Sequence, residues 1–460
     1  MTFSVNPQIF RQYDIRGVVD KDLTEPVVEA LGRGYGTYMR SLGKRRASLG
    51  RDMRLSSERF KDALARGMLS AGLDVVDIGL VPTPALYFSL FTLDVDGGIM
   101  ITGSHNPPEF NGFKVGVEKT TIYGEEIQNL RRIVEAGDFA KGRGALTQKD
   151  VIESYVEAVK GRIGPFARPL KVVADAGNGM AGTIVPRILR ELGAEVIELY
   201  CELDGTFPNH HPDPTVPAYL QDLITRVKEE KADLGLAYDG DADRLGIVDE
   251  NGGIIWGDQL MILFSREVLA QNPGASIIFE VKCSQALVEE IEKAGGQPIM
   301  WKTGHSLIKE KMKELSAPLA GEMSGHLFFA DEYFGYDDAI YASCRLVRLL
   351  ARSEKTIGQM LADVPVYYST PETRVDCSDE EKFKVVEELS RHFKKLYDTI
   401  DVDGVRILFG DGWGLVRASN TQPVLVLRFE ARSPERLEEI KKIVLDKLAE
   451  FPAVRLPASF

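Results

Sequence analysis

One alternation of strand and helix recurs three times along the chain, and it restricts the fold more than any single motif. Each copy has an apolar strand ending in a polar or glycine turn and an amphipathic helix ending in glycine. A second apolar strand, more helix and a last strand ending in a polar loop follow. The first copy begins at Ala47-Ser-Leu-Gly-Arg-Asp52 and passes through Ala71-Gly72 and the strand Asp74 to Leu80. It ends at Gly98-Ile-Met-Ile-Thr-Gly-Ser-His-Asn-Pro107. The second begins at Lys171-Val-Val-Ala-Asp175, passes through Leu192-Gly193 and Glu195 to Tyr200, and ends at Leu234-Gly-Leu-Ala-Tyr-Asp-Gly-Asp-Ala-Asp-Arg244. The third begins at Ile277-Ile-Phe-Glu-Val-Lys282, passes through Ala294-Gly295 and Pro298 to Trp301, and ends at Ala317-Pro-Leu-Ala-Gly-Glu-Met-Ser-Gly-His326. The unequal spacings mark a diverged triplication. Strands alternating with helices predict parallel sheets covered on both faces, with ligands at the carboxyl ends of the strands.

The grammar then changes. After Val364-Pro-Val-Tyr-Tyr-Ser-Thr-Pro371, Ser378 and Glu381 form a capping-box pattern that predicts a helix to about Tyr397. Strands around Asp411-Gly412 and Ser419 to Pro423 and a helix opening at Ser433-Pro434 complete a small α+β unit. The expected fold is therefore three similar mixed α/β domains plus a smaller C-terminal α+β domain. At 460 residues, three or four domains are also what chain length suggests. The boundaries fall at 1–150, 151–253, 254–365 and 366–460.

Charge narrows the function. With 56 basic against 69 acidic residues, the net charge of −13 disfavours a phosphate-neutralising surface for nucleic acid or an acidic membrane. Any bound anion must be held by a local cluster. The apolar stretch Ile78 to Leu93 contains Pro82 and Pro84 and is shorter than the ~20 residues a spanning helix needs. Met1 to Gly17 has no apolar h-region. Cys201, Cys283, Cys344 and Cys377 lie far apart without a C-x-x-C pair, the pattern of reduced thiols in a cytoplasmic protein.

The three terminal loops and one hairpin carry the chemistry. In Thr102-Gly-Ser-His-Asn-Pro107, Ser104 would stand exposed at a strand end, and an Asn111-Gly112 turn would fold Phe113-Lys114 back toward it. G-x-S-x-G is absent, and neighbours in extended chain point apart, so His105 is not expected to serve Ser104 as a hydrolase-type base. An ordinary helix-capping loop is the bland alternative. In Asp239-Gly-Asp-Ala-Asp-Arg244, alternate aspartates can converge on one hard cation, and few protein oxygens plus a phosphate is the magnesium habit. An EF-hand fails because its sixth position is Arg244, although Glu250 falls twelfth. A solvated acidic turn leaves the flanking apolar strands unexplained. Gly321-Glu-Met-Ser-Gly-His326 offers a carboxylate for vicinal sugar hydroxyls and an imidazole that moves protons near neutrality. Of six histidines, His105, His305 and His326 sit in short glycine-bearing loops. Arg417-Ala-Ser-Asn-Thr421 supplies a guanidinium fork, hydroxyls and turn N–H groups suited to phosphate, against the alternative of a plain hairpin turn. Gly177-Asn-Gly-Met-Ala-Gly182 matches a dinucleotide fingerprint, but Asp175 just before it repels a pyrophosphate, and that reading leaves the other loops idle.

With these motifs in order, the chain resembles the α-D-phosphohexomutase family, and within it the bacterial phosphomannomutase/phosphoglucomutase branch. The likeness runs from Tyr13-Asp-Ile-Arg-Gly17 to the Arg417 loop. It implies four domains around a central cleft, a phosphoserine at Ser104, and Mg²⁺ held by Asp239, Asp241, Asp243 and that phosphoserine. It implies that Glu322, Ser324 and His326 read the sugar and that Arg417, Ser419, Asn420 and Thr421 hold the non-reacting phosphate. Tyr13, Arg16, Lys114, Arg244, Lys282 and His305 fall where the family lines its cleft, with Lys114 and His326 favoured for proton transfer. Met323 leans toward the mannose/glucose branch and away from phosphoglucosamine. The implied reaction interconverts hexose 1-phosphate and hexose 6-phosphate through a 1,6-bisphosphate, with glucose or mannose 1,6-bisphosphate as activator, in a monomer or homodimer. A metal-dependent sugar-phosphate phosphatase using Asp239 or Asp241 is the rival enzyme, and it leaves Ser104 without a task. A sugar-phosphate-binding protein that has lost its chemistry is the non-enzymatic rival.

Overall fold

The buried strand Gly97–Ile101 shows how each repeat is built. Apolar on both faces, it pairs in parallel with Arg46–Arg51, which pairs in parallel with Asp74–Leu80. On its other side, however, Phe110–Val117 runs back antiparallel. The same plan recurs where Leu234–Tyr238 pairs in parallel with Lys171–Asp175 and antiparallel with Leu245–Asp249. It recurs again where Leu319–Gly321 pairs in parallel with Ser276–Glu280 and antiparallel with Leu327–Phe329. The sheets are therefore mixed, not parallel throughout. The consequence is functional: residues 102–109, 239–244 and 322–326 are hairpin connections, each pinned at both ends.

The computed structural model describes residues 5–419 and 422–456. Its four sheets have seven, five, four and six strands. The last is built on Val424–Ala431, Gly412–Ala418, Val405–Leu408 and Asp398–Ile400, with helices Lys382–Phe393 and Pro434–Leu448 packed against it. One continuous apolar cluster joins the first three sheets, from Phe88 and Met100 through Tyr155 and Leu236 to Phe279 and Tyr341. The fourth domain has a core of its own around Leu389, Phe429 and Val444. Among the described residues no helix is long and apolar enough to cross a membrane, and the four cysteines are free.

Two local expectations are corrected. The helix expected at Ser378 begins at Lys382 and ends at Phe393, because the Ser378 hydroxyl is engaged by Glu380 and Ser378–Glu381 form a turn instead of a capping box. Asn111-Gly112 is not a turn. It lies inside Phe110–Val117, where Ile15 O approaches so closely that a Cβ on Gly112 would sit 2.5 Å away. The glycine serves strand-to-strand approach, a use that resembles a turn signal in sequence. The predicted helix at Ser433-Pro434 forms, and Ser433 Oγ accepts from Arg436 N.

Candidate active site

Ser104 is buried, and its N–H donates to Thr102 Oγ1 at 2.8 Å. It takes φ +49°, in the left-handed region that L-residues rarely occupy. From there Oγ donates to Asp239 Oδ2 at 2.8 Å, across the boundary between the first two domains. The same backbone twist brings His105 Nδ1 to 3.1 Å from Oγ. The expectation that these neighbours point apart is thus overturned, because it assumed extended chain. Burial and the nearby Arg244 charge hold His105 well below the ordinary histidine value.

Asp239, Asp241 and Asp243 are fully buried, with carboxylate oxygens of all three within 4.8 Å of one another. The loop folds onto itself: Asp239 Oδ1 accepts from Asp243 N at 3.0 Å and Arg244 N at 3.1 Å. Gly240 is required, since a Cβ there would lie 2.4 Å from Ser104 O. Thr83 Oγ1 donates to Asp241 Oδ2 at 2.6 Å. Lys114, from the strand beside the serine loop, reaches Asp241 Oδ2 at 3.1 Å and also bonds Asp243. Burial opposes the Lys114 charge, but Asp241 and Asp243 more than offset it and hold the ammonium well above the usual lysine range. Burial and its two neighbouring carboxylates push Asp239 well up, whereas Asp243, also buried, is held well below the carboxylate range by Lys114 and His326. Asp241 Oδ1 and Asp243 Oδ1 accept no hydrogen bond. With Asp243 Oδ1 met by the His326 ring at 3.3 Å and Asp241 Oδ1 left unbonded, the three buried carboxylates that converge here fit a small divalent cation such as Mg²⁺.

The third loop is bound to this centre. Arg244 Nε lies 3.3 Å from His326 Nε2, which is 3.3 Å from Asp243 Oδ1. His326 Nδ1 lies 2.7 Å from Glu322 Oε2, with Ser324 Oγ 3.1 Å from the ring. Although burial disfavours the charged ring, Asp243 and Glu322 push His326 up to about 9. Glu322, opposed by burial but bonded to His326 and to Gly304 N at 2.6 Å, is held down to about 2. His305 lies ring to ring 6.0 Å from His326.

The fourth loop joins through Arg417, whose Nε donates to Asp403 Oδ2 at 3.1 Å; Asp403 also accepts from Thr303 N at 3.1 Å. Tyr13 Oη donates to Thr303 O at 2.7 Å, so the first, third and fourth domains meet here. Lys282 pairs with Glu372 at 2.9 Å, and Ser419 N donates to Val424 O at 3.0 Å. Arg16 pairs with Asp14 at 2.6 Å. Asn420 and Thr421 lie outside the described residues. Ser104, the three aspartates, Lys114, Arg244 and the Glu322–His326 loop thus form one connected group, and Tyr13 and Arg417 meet through Thr303 and Asp403 in a second. The Gly304–Glu322 contact links them.

The dinucleotide fingerprint has no room for a ligand. Met180 N donates to Gly240 O at 2.9 Å, and a Cβ on Gly182 would lie 2.1 Å from Cys201 O, so these glycines pack loop against loop. Asp175 is occupied by Gly177 N and His210.

Several buried polar residues of the site escaped the sequence reading. Besides Thr83, Glu280 accepts from Thr303 Oγ1 at 2.6 Å and Met323 N at 2.9 Å, and Asp337 faces Lys309 at 3.1 Å. Arg54 underlies the serine loop. Glu280 and Arg54 occupy strand ends, the location that singled out the other loops, so position was a usable signal. Thr83 and Asp337 carry no such mark.

Three domains on one α/β/α plan, their loops gathered on one serine and one carboxylate triad, and a smaller fourth that brings Arg417 to Asp403 beside the third place the molecule among the multidomain phosphohexomutases. The chain belongs to the phosphoglucomutase/phosphomannomutase family: α/β/α domains I, II and III of that family match residues 7–141, 153–253 and 256–368, and its C-terminal domain matches 372–447. It is 48% identical over 441 residues to the phosphomannomutase/phosphoglucomutase of Pseudomonas aeruginosa, covering 96% of this chain and 95% of that one. It is 44% identical over 443 residues to a phosphoglucomutase of Neisseria gonorrhoeae, covering 95% of this chain and 96% of that one. The crystal structure of a phosphoglucomutase/phosphomannomutase family protein from Burkholderia thailandensis matches at TM-score 0.93 and 44% identity, over 99% of this chain and all of that one.

Proposed function

We propose that this enzyme interconverts the 1-phosphate and 6-phosphate of a hexose, mannose and/or glucose, through a phosphoserine at Ser104 and a 1,6-bisphosphate. The observation that carries this reading is the Ser104 hydroxyl bonded to Asp239 beside a buried, cation-ready triad. In the first half-reaction a sugar hydroxyl oxygen forms a bond to the phosphorus, the bond from phosphorus to Ser104 Oγ breaks, and Oγ regains a proton. The bisphosphate then turns around and returns its other phosphoryl group to Ser104.

Asp239, Asp241, Asp243 and a phosphoserine oxygen would hold Mg²⁺, which when bound supplies charge neutralisation at the transferring phosphoryl group. Lys114, which pairs with Asp241, and His326 exchange protons with the sugar hydroxyl in this reading, His305 neighbours the His326 ring, and Arg244 adds positive charge between triad and sugar loop. Glu322 and Ser324 accept ring hydroxyls in either orientation. Lys282 and His305 join them in reading the sugar, and Arg417, Ser419, Asn420 and Thr421, with Tyr13 and Arg16, hold the non-reacting phosphate. Residues Pro365 to Pro371 act as the hinge that closes this loop over substrate and excludes water. The enzyme works in the cytoplasm as a monomer or homodimer.

The test is ³¹P NMR of the protein with glucose 1-phosphate or mannose 1-phosphate, Mg²⁺ and a trace of glucose 1,6-bisphosphate. Growth of the 6-phosphate resonance without inorganic phosphate is expected, and the faster sugar names the preference. Growth of inorganic phosphate instead would make the enzyme a phosphatase.

A further inference from the structure

Beneath the serine loop lies a guanidinium with no part in the chemistry above. Arg54 follows the strand Arg46–Arg51, and its side chain is wholly buried. Its terminal nitrogens serve four backbone carbonyls, three in the serine loop and one on the first residue of the strand that follows it. Nη1 donates to Pro107 O at 2.7 Å and Phe110 O at 2.8 Å, and Nη2 donates to Ser104 O at 2.8 Å and to Asn106 O. Nε lies 3.3 Å from Asp52, which accepts from Gly103 N at 3.3 Å, Arg54 N at 3.0 Å and Ser57 Oγ at 2.5 Å. The group presses on Gly103, where a Cβ would fall 2.5 Å from Cζ. Phe207 of the second domain completes the enclosure, its ring centroid 5.1 Å from Cζ.

Four carbonyls spread over seven residues require a planar fork of donors, which arginine has and lysine lacks. The loop they hold is the one that keeps Ser104 at φ +49°, a conformation that persists in a non-glycine residue only where its surroundings impose it. In that conformation Oγ reaches Asp239 Oδ2 at 2.8 Å.

We propose that Arg54 is the positioning residue of the nucleophile, its guanidinium fork holding the serine loop in the turn that aims Oγ at Asp239 and the transferring phosphoryl group. The inference rests on Ser104 being the phosphoryl carrier. It assigns the Gly-Arg-Asp-Met-Arg segment, Gly50 to Arg54, to catalysis through the loop it grips.

The experiment follows phosphorylation of Ser104 by glucose 1,6-bisphosphate with mass spectrometry, alongside kcat, KM and thermal unfolding, in wild type and Arg54→Lys. Loading rate and kcat are expected to fall about 100-fold, the scale of a misplaced reacting group, with KM changed far less. Guanidinium ion should restore part of the activity of Arg54→Ala, and methylammonium should not. A folded Arg54→Lys protein that loads Ser104 at the wild-type rate overturns the proposal. So does a loss of kcat that only tracks the folded fraction without guanidinium rescue. A wild-type protein that never loads Ser104 overturns the carrier assignment instead. Should both Arg54 variants fail to fold, Phe207→Leu, which uncovers the guanidinium and leaves every donor in place, is expected to slow loading severalfold; wild-type loading in that variant counts against the proposal.

Discussion

The two joints that hold this molecule together are built from opposite materials. Where the first three domains meet, the contact is aromatic. Phe88 of the first packs on Tyr155 of the second at 5.7 Å and on Phe334 of the third at 5.9 Å, and Tyr87 of the first packs on Tyr336 of the third at 5.6 Å. A buried carboxylate of the third domain, Asp338, ties it to the second by accepting from Tyr155, and also accepts from its own domain's Tyr333, each at 2.9 Å. Where the fourth domain meets the third, the contact is polar. Arg406 donates to Val281 O at 2.8 Å and Cys283 O at 2.7 Å, Glu430 accepts from Gln285 N at 2.8 Å, and Lys282 pairs with Glu372. Its apolar share is the small group Val281, Trp413 and Leu415. Opening the aromatic joint would expose apolar surface at about 25 cal/mol per Å². Opening the polar one hands its groups to water, which satisfies them, and relative motion is the ordinary behaviour of such an interface. The proposed chemical groups, Ser104 and the triad, face each other across the fixed joint, and the proposed phosphate-holding group Arg417 arrives across the movable one.

Four substitutions can break this division or sharpen it. Ser104→Ala, on the fixed side, should lower kcat by more than about 10⁴-fold while thermal unfolding stays near wild type; substantial residual turnover moves the nucleophile elsewhere. Phe88→Ala should cost about 3–5 kcal/mol in denaturant unfolding, because one ring is shared by three domains. A loss under about 1 kcal/mol would mean the joint is looser than it looks.

Asp338→Asn reads the fixed joint through pH. Burial raises the Asp338 carboxyl from 3.8 to about 6, so the folded state binds its proton more tightly than the unfolded state does. That contribution is complete below the unfolded value and is lost as pH rises through about 6. The stability of Asp338→Asn relative to wild type should therefore rise between pH ~4 and ~6, by up to about 3 kcal/mol, and level off above. A flat difference curve refutes the assignment. Arg417→Ala, on the movable side, should raise KM about 10- to 100-fold, the worth of a charge-assisted contact, with kcat and the metal requirement little changed. An unaltered KM would remove Arg417 from the phosphate site.

Much of the fold was legible because its signals are local. The strands Asp74–Leu80, Lys171–Asp175 and Leu234–Tyr238 begin and end where their apolar runs do. The return strands of each repeat were not legible as antiparallel, since a buried run reads alike in either direction. Asn111-Gly112 misled for a related reason: glycine for a turn and glycine for close strand approach are the same letter. The candidate residues of the site were legible where they cluster at strand ends. Thr83 and Asp337 were not, because nothing adjacent to them in the chain marks the carboxylate or ammonium they meet in space.

The sequence by itself determined which loops carry a hydroxyl, carboxylates, an imidazole or a guanidinium, because strand ends, glycines and charged residues are set within a few positions of one another. Only the tertiary structure decided that Ser104 takes a left-handed turn toward Asp239, that Lys114 settles among the aspartates, and that Arg54 grips the serine loop from below. Those partners lie 50 to 135 residues apart, and what unites them is packing within the first domain and of its hairpin against the second, a cooperative fit among many side chains that no short window of sequence contains.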